Sequence, residues 1–127
     1  NSALGAHQHQ LRLAQAASLP SDVQCKALSQ TGWAYMALDE HDSAAECFRQ
    51  QLQVANDAND PALRARALIN ASQSSLRTRH TDGAFESIEA AAAIAKEFGD
   101  RTTLAEILEV QGEAHRNELD SESALQS

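Results

Sequence analysis

The chain has 127 residues and a net charge of −8, with 43% hydrophobic residues but only 4% aromatics. That length suits one small domain with a modest core, and the shortage of aromatics leaves alanine and leucine to do the packing, which suits close helix–helix contact and argues against a β-sandwich. The acidity excludes non-specific nucleic-acid binding, which needs clustered Lys and Arg, and no apolar run approaches the roughly 20 residues that span a bilayer.

Taken in order, apolar residues at helical spacing predict a helix over about 3–17, then helices over about 22–38, 43–56, 61–78, 83–98 and 101–118, with a further start at Ser121. Each boundary carries a local signal. Ser21 and Gln24 have the spacing of a capping box, in which side chains reciprocally satisfy free backbone N–H groups. Asp60 followed by Pro61 is an N-cap with proline at the first helical position, where the missing N–H does no harm. Asp42, Asp82 and Asp100 are read as further N-caps, and Asn59 and Gly99 tolerate the left-handed backbone that ends a helix. Cys25 and Cys47 are too few for a disulfide framework and fall at positions of small packing residues, as expected in a reducing compartment.

A 40-residue period relates these elements. Asp42-Ser43-Ala44-Ala45-Glu46-Cys47-Phe48 falls on Asp82-Gly83-Ala84-Phe85-Glu86-Ser87-Ile88, and Glu122-Ser123-Ala124-Leu125 lies one step further. The same shift superposes Ala27-Leu28, Ala67-Leu68 and Ile107-Leu108, and also Gly32, Ser72 and Gly112. A fixed period of this size indicates supersecondary units that bury their apolar faces only by stacking on one another. The small residues at 32, 72 and 112 mark a close helix crossing, answered by Ala44, Ala84 and Ala124. Leu28, Phe48, Leu52, Val54, Leu68, Ile88 and Ile94 supply bulk. A large side chain at Gly32 or Ala84 should cost about 1–3 kcal/mol by overpacking.

Leu28-x2-Thr31-Gly32-x2-Tyr35 followed by Ala44-x3-Phe48 resembles the tetratricopeptide repeat. The second copy reads Leu68-x2-Ala71-Ser72-x2-Ser75, then Ala84-x3-Ile88, and the third Leu108-x2-Gln111-Gly112-x2-His115, then Ala124. The chain departs from that family in its period, 40 residues against the common 34. It also departs at Ser75 and His115, which replace an aromatic, and at Gln51, which replaces the usual closing alanine. The longer period is similar to the variant of kinesin-light-chain-like and bacterial regulatory proteins. The resemblance implies an all-α solenoid of antiparallel helix pairs: part of a preceding repeat over 1–20, repeats over 21–59 and 60–99, and a partial third over 100–127. Because the chain begins at Asn rather than Met and stops inside its third repeat, a fragment of a longer protein is expected, and a cytoplasmic one.

In this family the first helix of each pair lines a concave groove. The resemblance therefore places Lys26, Ser29, Gln30, Trp33, Met36 and Ala37 there from repeat one. Arg66, Ile69, Asn70, Gln73, Leu76 and Arg77 follow from repeat two, and Glu106, Glu109, Glu113, Arg116 and Asn117 from repeat three. Trp33 and Met36 would form an apolar anchor, Asn70 and Gln73 would clamp a peptide backbone through their amides, and Lys26, Arg66 and Arg77 would select charge opposite Glu106, Glu109 and Glu113. The implied function is a protein–protein interaction scaffold that holds an extended peptide or partner helix. The alternatives are a sensor segment that controls an attached output domain in a bacterial signalling protein, and a self-association module. Apolar surface near Ile107, Leu108 and Leu119 would drive the latter.

Nothing in the residue pattern points to catalysis, a cofactor or a metal. His7 and His9 are two apart and point to different helix faces, His41 and His80 fall in turns, and no HExxH, paired-cysteine or glycine-rich phosphate motif occurs.

Overall fold

A computed structural model describes the backbone of residues 2–16, 19–78 and 81–126 and the side chains of residues 4–13, 19–78 and 83–120. Helix is the only regular secondary structure among the described residues: α1 (Ser2–Ala16), α2 (Ser21–Ala37), α3 (His41–Ala58), α4 (Pro61–Arg77), α5 (Thr81–Phe98) and α6 (Arg101–Gln126). Each helix packs on the next in sequence, and α4 also touches both α2 and α6.

The turns between helices repeat as the sequence does. At the end of α3, Asn59 takes a left-handed φ of 54°, so the Asp60 N–H reaches the Ala55 carbonyl at 3.4 Å. Asp60 then caps α4, its Oδ1 accepting from the N–H groups of Ala62 and Leu63. Forty residues on, Gly99 has φ 67° and Asp100 N–H donates to the Ala95 carbonyl at 3.1 Å. Asp100 in turn accepts from the Thr103 N–H and hydroxyl. A single aspartate thus closes one helix and opens the next, which permits a two-residue reversal.

Three boundary expectations are corrected. Pro20, not Ser21, stands at the N-cap of α2 and has no side chain to offer; Ser21 is already helical, and Gln24 donates to the Leu19 carbonyl instead of closing a capping box. α3 begins one residue before Asp42, with Glu40 at its cap and no side-chain cap bond. The reversal before it depends on Asp39, whose φ of 59° lets Glu40 N–H reach the Tyr35 carbonyl at 2.9 Å. The side chain of Asp82, the remaining expected cap, lies outside the described residues, as do His80 and the side chain of Ala124. The third correction is larger. No turn separates residues 118 and 121, because α6 runs unbroken to Gln126.

Alanine supplies the close approaches and a few large side chains fill between them. One cluster joins Ile69 and Leu76 of α4 to Ala84, Ile88, Ala91 and Ala95 of α5 and to Ile107, Val110 and Ala114 of α6. A second holds Met36, Ala44 and Phe48, with Trp33 and Tyr35 packed against it. Gly32 is required here: a Cβ at that position would lie 2.7 Å from Phe48 Cε1. The partner of Gly32 is therefore the Phe48 ring rather than Ala44. At Gly112 the nearest side-chain atom to such a Cβ is Arg116 Nη1 at 3.6 Å, an ordinary contact, so no described side chain presses on α6 there.

Candidate functional site

The residues expected to line one groove lie on α2, α4 and α6, and the structure brings these helices side by side in the same direction. Partner numbers rise together along them. Asn70 meets Ser29 and Ser74 meets Met36 across α2 and α4; Arg66 meets Glu106 and Asn117 meets Leu76 across α4 and α6. The offsets of 41, 38, 40 and 41 residues are the sequence period expressed as lateral contact.

Several candidates are consumed by those contacts. Asn70 is only 5% exposed, and its Nδ2 donates to Ser29 Oγ at 2.9 Å and to Gln51 Oε1 at 3.2 Å. It is placed as a buried tie among α2, α3 and α4, not as a solvent-facing backbone clamp. Its acceptor Gln51, on α3, is 1% exposed. The two departures from an apolar pattern satisfy each other, as buried amides must. Arg66 is likewise committed: its guanidinium forms a bidentate pair with Glu106, with Nη2–Oε1 at 3.0 Å. This hydrogen bond holds the Glu106 carboxyl below the usual range and pushes the Arg66 guanidinium up. The expected basic and acidic ends of the groove therefore neutralise each other at this point. Ile69, Leu76 and Met36 are buried, so Met36 belongs to the core.

The remaining candidates occupy three separate depressions. In the first, of about 510 Å³, Trp33, Met36 and Ala37 of α2 meet Arg77 of α4 beside Asp39 and His41. Trp33 is half-buried. Its ring is tilted against Phe48 with centroids 4.9 Å apart, and the Arg77 guanidinium carbon lies 4.9 Å from its centroid. A cation over an aromatic face is attracted by the ring quadrupole, so this pair is both fixed and partly open. In the second depression, of about 430 Å³, Gln73 of α4 faces Glu109, Glu113 and Arg116 of α6 beside the exposed Leu108. Lys26 and Gln30 line a third, of about 520 Å³, between α1 and α2 with Leu13, Leu19 and Val23.

Two cavities escaped sequence reasoning: one of about 500 Å³ beside Thr31, Tyr35, Glu46 and Gln50, and a smaller, more enclosed one between α4 and α5. Pro61, Ala62 and Ala65 of α4 and Ile94, Ala95 and Phe98 of α5 enclose about 210 Å³, rimmed by Asp60, Asp100 and Thr103. The repeat comparison contained a signal for it. Ala65 stands where the first repeat has the larger Cys25, and Phe98 stands where it has Ala58.

Both thiols are free and buried. Burial is the largest cause raising the Cys25 thiol, followed by the charges of Asp60 and Asp22; burial, then Glu46, raises Cys47. Cys25 donates to the Gln51 carbonyl at 3.6 Å. Raised thiols without a cationic neighbour are poor nucleophiles. Among the described residues, no three His, Cys, Asp or Glu side chains are grouped so as to hold a metal ion, and no helix is long and apolar enough to cross a membrane. No protein-family model matches the chain, and no curated protein matches it.

Proposed function

We propose that the chain is a segment of an α-solenoid of the tetratricopeptide-like kind, and that it acts as a binding scaffold for an extended peptide or partner helix. The observation that carries the binding role is the Trp33–Arg77 pair. The chain's single tryptophan is held half-open between two repeat-equivalent helices, with buried Met36 beneath it and a guanidinium stacked on its face. Trp and Arg are the side chains most often dominant in binding energy, because a rigid aromatic plane offers large area at little entropic cost. In this proposal Trp33 and Arg77 anchor one residue of the ligand. Gln73 offers an amide to the ligand backbone, and Glu109 and Glu113 favour a basic side chain further along. Asn70 and Arg66 contribute by fixing the spacing of α2, α4 and α6 rather than by contact. Support for the solenoid comes from the recurring aspartate-capped reversals and the near-constant 40-residue offset of the lateral contacts.

The single tryptophan also provides the test. Peptides selected from a random displayed library on the 127-residue chain should shift Trp33 emission saturably when titrated. Arg77→Ala should weaken that binding by roughly tenfold or more, the scale of a lost hot-spot contact, without loss of helical circular dichroism. Selected peptides that leave Trp33 emission unchanged, or bind Arg77→Ala as well as the parent, would overturn the assignment.

A further inference from the structure

The cavity between α4 and α5 sits where the second repeat differs from the first in a coordinated way. Ala62, Ala65 and Thr103 stand where the residues forty earlier are Asp22, Cys25 and Leu63, so each of the three is the smaller side chain. Asp60 and Phe98 stand where the first repeat has Pro20 and Ala58. The first set of changes opens about 210 Å³ between the helices, and the second adds a carboxylate and an aromatic ring to the lining. All of these residues belong to α4, α5, the turns beside them and the first turn of α6, which pack on one another.

Size, wall and charge together select a ligand. An apolar cavity of about 150 Å³ accepts a six-carbon ring, so this one has room for a chain of about six carbons with a polar head. The α4 and α5 walls offer hydrocarbon only, chiefly from Ala65, Ile94 and Ala95. The rim is anionic. Asp60 gives its Oδ1 to the N–H groups of Ala62 and Leu63, which leaves Oδ2 free to accept. Asp100 accepts from the Thr103 hydroxyl and N–H, and these bonds hold its carboxyl below the usual range, so it is ionised at neutral pH. The Arg66 charge also reaches Asp100, but that guanidinium is held bidentately by Glu106, so the rim keeps a negative surplus. Phe98 completes the lining, and its ring is 60% exposed, an unusual state for a large aromatic beside a cavity. An aromatic face attracts cations.

We infer that this cavity binds a short aliphatic ammonium ion, its chain against Ala65, Ile94 and Ala95 and its cationic head at Asp60 and Asp100 beside the Phe98 ring. Each part of the site discriminates. An anion of the same length meets two carboxylates, a neutral alcohol forgoes the charge interaction, and a much longer chain exceeds the volume. Thr103 is a positioning residue, since its hydroxyl fixes Asp100 Oδ2 at 2.6 Å. The site is separate from the peptide anchor: Arg77 stands on α4 about 18 Å of helix beyond Ala65, and Trp33 is on α2.

Hexylammonium is the probe, with hexanol and hexanoate as its neutral and anionic counterparts. Followed by NMR of the 127-residue chain labelled at its alanine methyls, hexylammonium should bind saturably with a Kd on the order of 1 mM, an ordinary affinity for so small a molecule. The methyls of Ala62, Ala65 and Ala95 should move. Hexanol should bind roughly threefold more weakly or worse, and hexanoate should leave the spectrum unchanged. Asp60→Asn keeps a good helix N-cap while removing the charge, and should weaken hexylammonium by roughly three- to fivefold. Phe98→Ala restores the first repeat's residue at an exposed position and should weaken it by roughly two- to fivefold. Ala65→Leu should fill the cavity and abolish binding; should that variant not fold, the other two still decide. Three results would each overturn the inference: no saturable shift up to tenfold above the expected Kd, hexanol binding as tightly as hexylammonium, or Asp60→Asn binding as the parent does. Shifts centred on alanines elsewhere in the chain would overturn it too.

Discussion

Gly32 and Gly112 occupy the same repeat position in different surroundings, so the same substitution at each separates packing from backbone effects. Glycine to alanine within a helix gains about 0.8–1.0 kcal/mol from backbone entropy alone. At Gly112 a new methyl meets only Arg116 Nη1 at 3.6 Å, an ordinary contact at the end of a flexible side chain. Gly112→Ala should therefore stabilise by about that amount. At Gly32 the methyl would lie 2.7 and 2.8 Å from Cε1 and Cζ of Phe48, closer than carbon atoms tolerate. Phe48 cannot retreat cheaply, being 2% exposed and packed against Trp33. Overpacking of this kind costs about 1–3 kcal/mol, which offsets the backbone gain and leaves a net loss of about 0–2 kcal/mol. The contrast between the two variants is the overpacking term itself, about 1–3 kcal/mol. Urea unfolding followed at 222 nm measures both, and Phe48→Leu combined with Gly32→Ala should recover part of the difference as a coupling energy. Equal shifts at the two glycines would refute the reasoning, because they would mean that α3 does not press on Gly32.

Asn70→Ala should destabilise by about 1–3 kcal/mol, the cost of leaving buried polar partners unsatisfied, here Ser29 Oγ and Gln51 Oε1; a shift below a few tenths in urea unfolding would contradict its placement. Cys25 and Cys47 should resist alkylation in the folded chain at mildly alkaline pH and react once it is unfolded in urea, since both are buried with thiols raised by burial; rapid native labelling counted by mass would argue otherwise. Acid should unfold the chain partly through Asp100 and Glu106. Asp100 is held low first by its hydrogen bonds with Thr103, and Glu106 by Arg66. A carboxylate depressed in the folded state contributes stability above its unfolded pKa, near 4, and that contribution is lost as pH falls through the lower folded value. Arg66→Met should therefore make stability less sensitive to pH below about 4, and an acid limb identical to the parent's would show that the Arg66–Glu106 pair adds nothing.

The sequence period determined the helical class, five of the six helices to within a few residues and the two aspartate reversals, because these depend on local chemistry. Asp60 and Asp100 cap whatever helix follows them, and Asn59 and Gly99 reach the left-handed region whatever surrounds them. The reversal at Asp39 and the continuation of α6 past residue 118 were not legible. Asp39 adopts its positive φ although it is neither Gly nor Asn, and nothing between 118 and 121 is strong enough to break a helix. Side-chain roles were harder still to read, since a helical face does not announce its neighbour. Asn70 and Gln51, 19 residues apart, are each polar residues on a packing face until α3 and α4 meet, after which each is the other's partner. Arg66 and Glu106 look like opposite ends of a charged surface until α4 and α6 align them. The repeat dictated the spacing along the chain, and only the packing of α2, α4 and α6 decided which polar groups were spent on holding that spacing and which, like Trp33 and Arg77, were left at the surface.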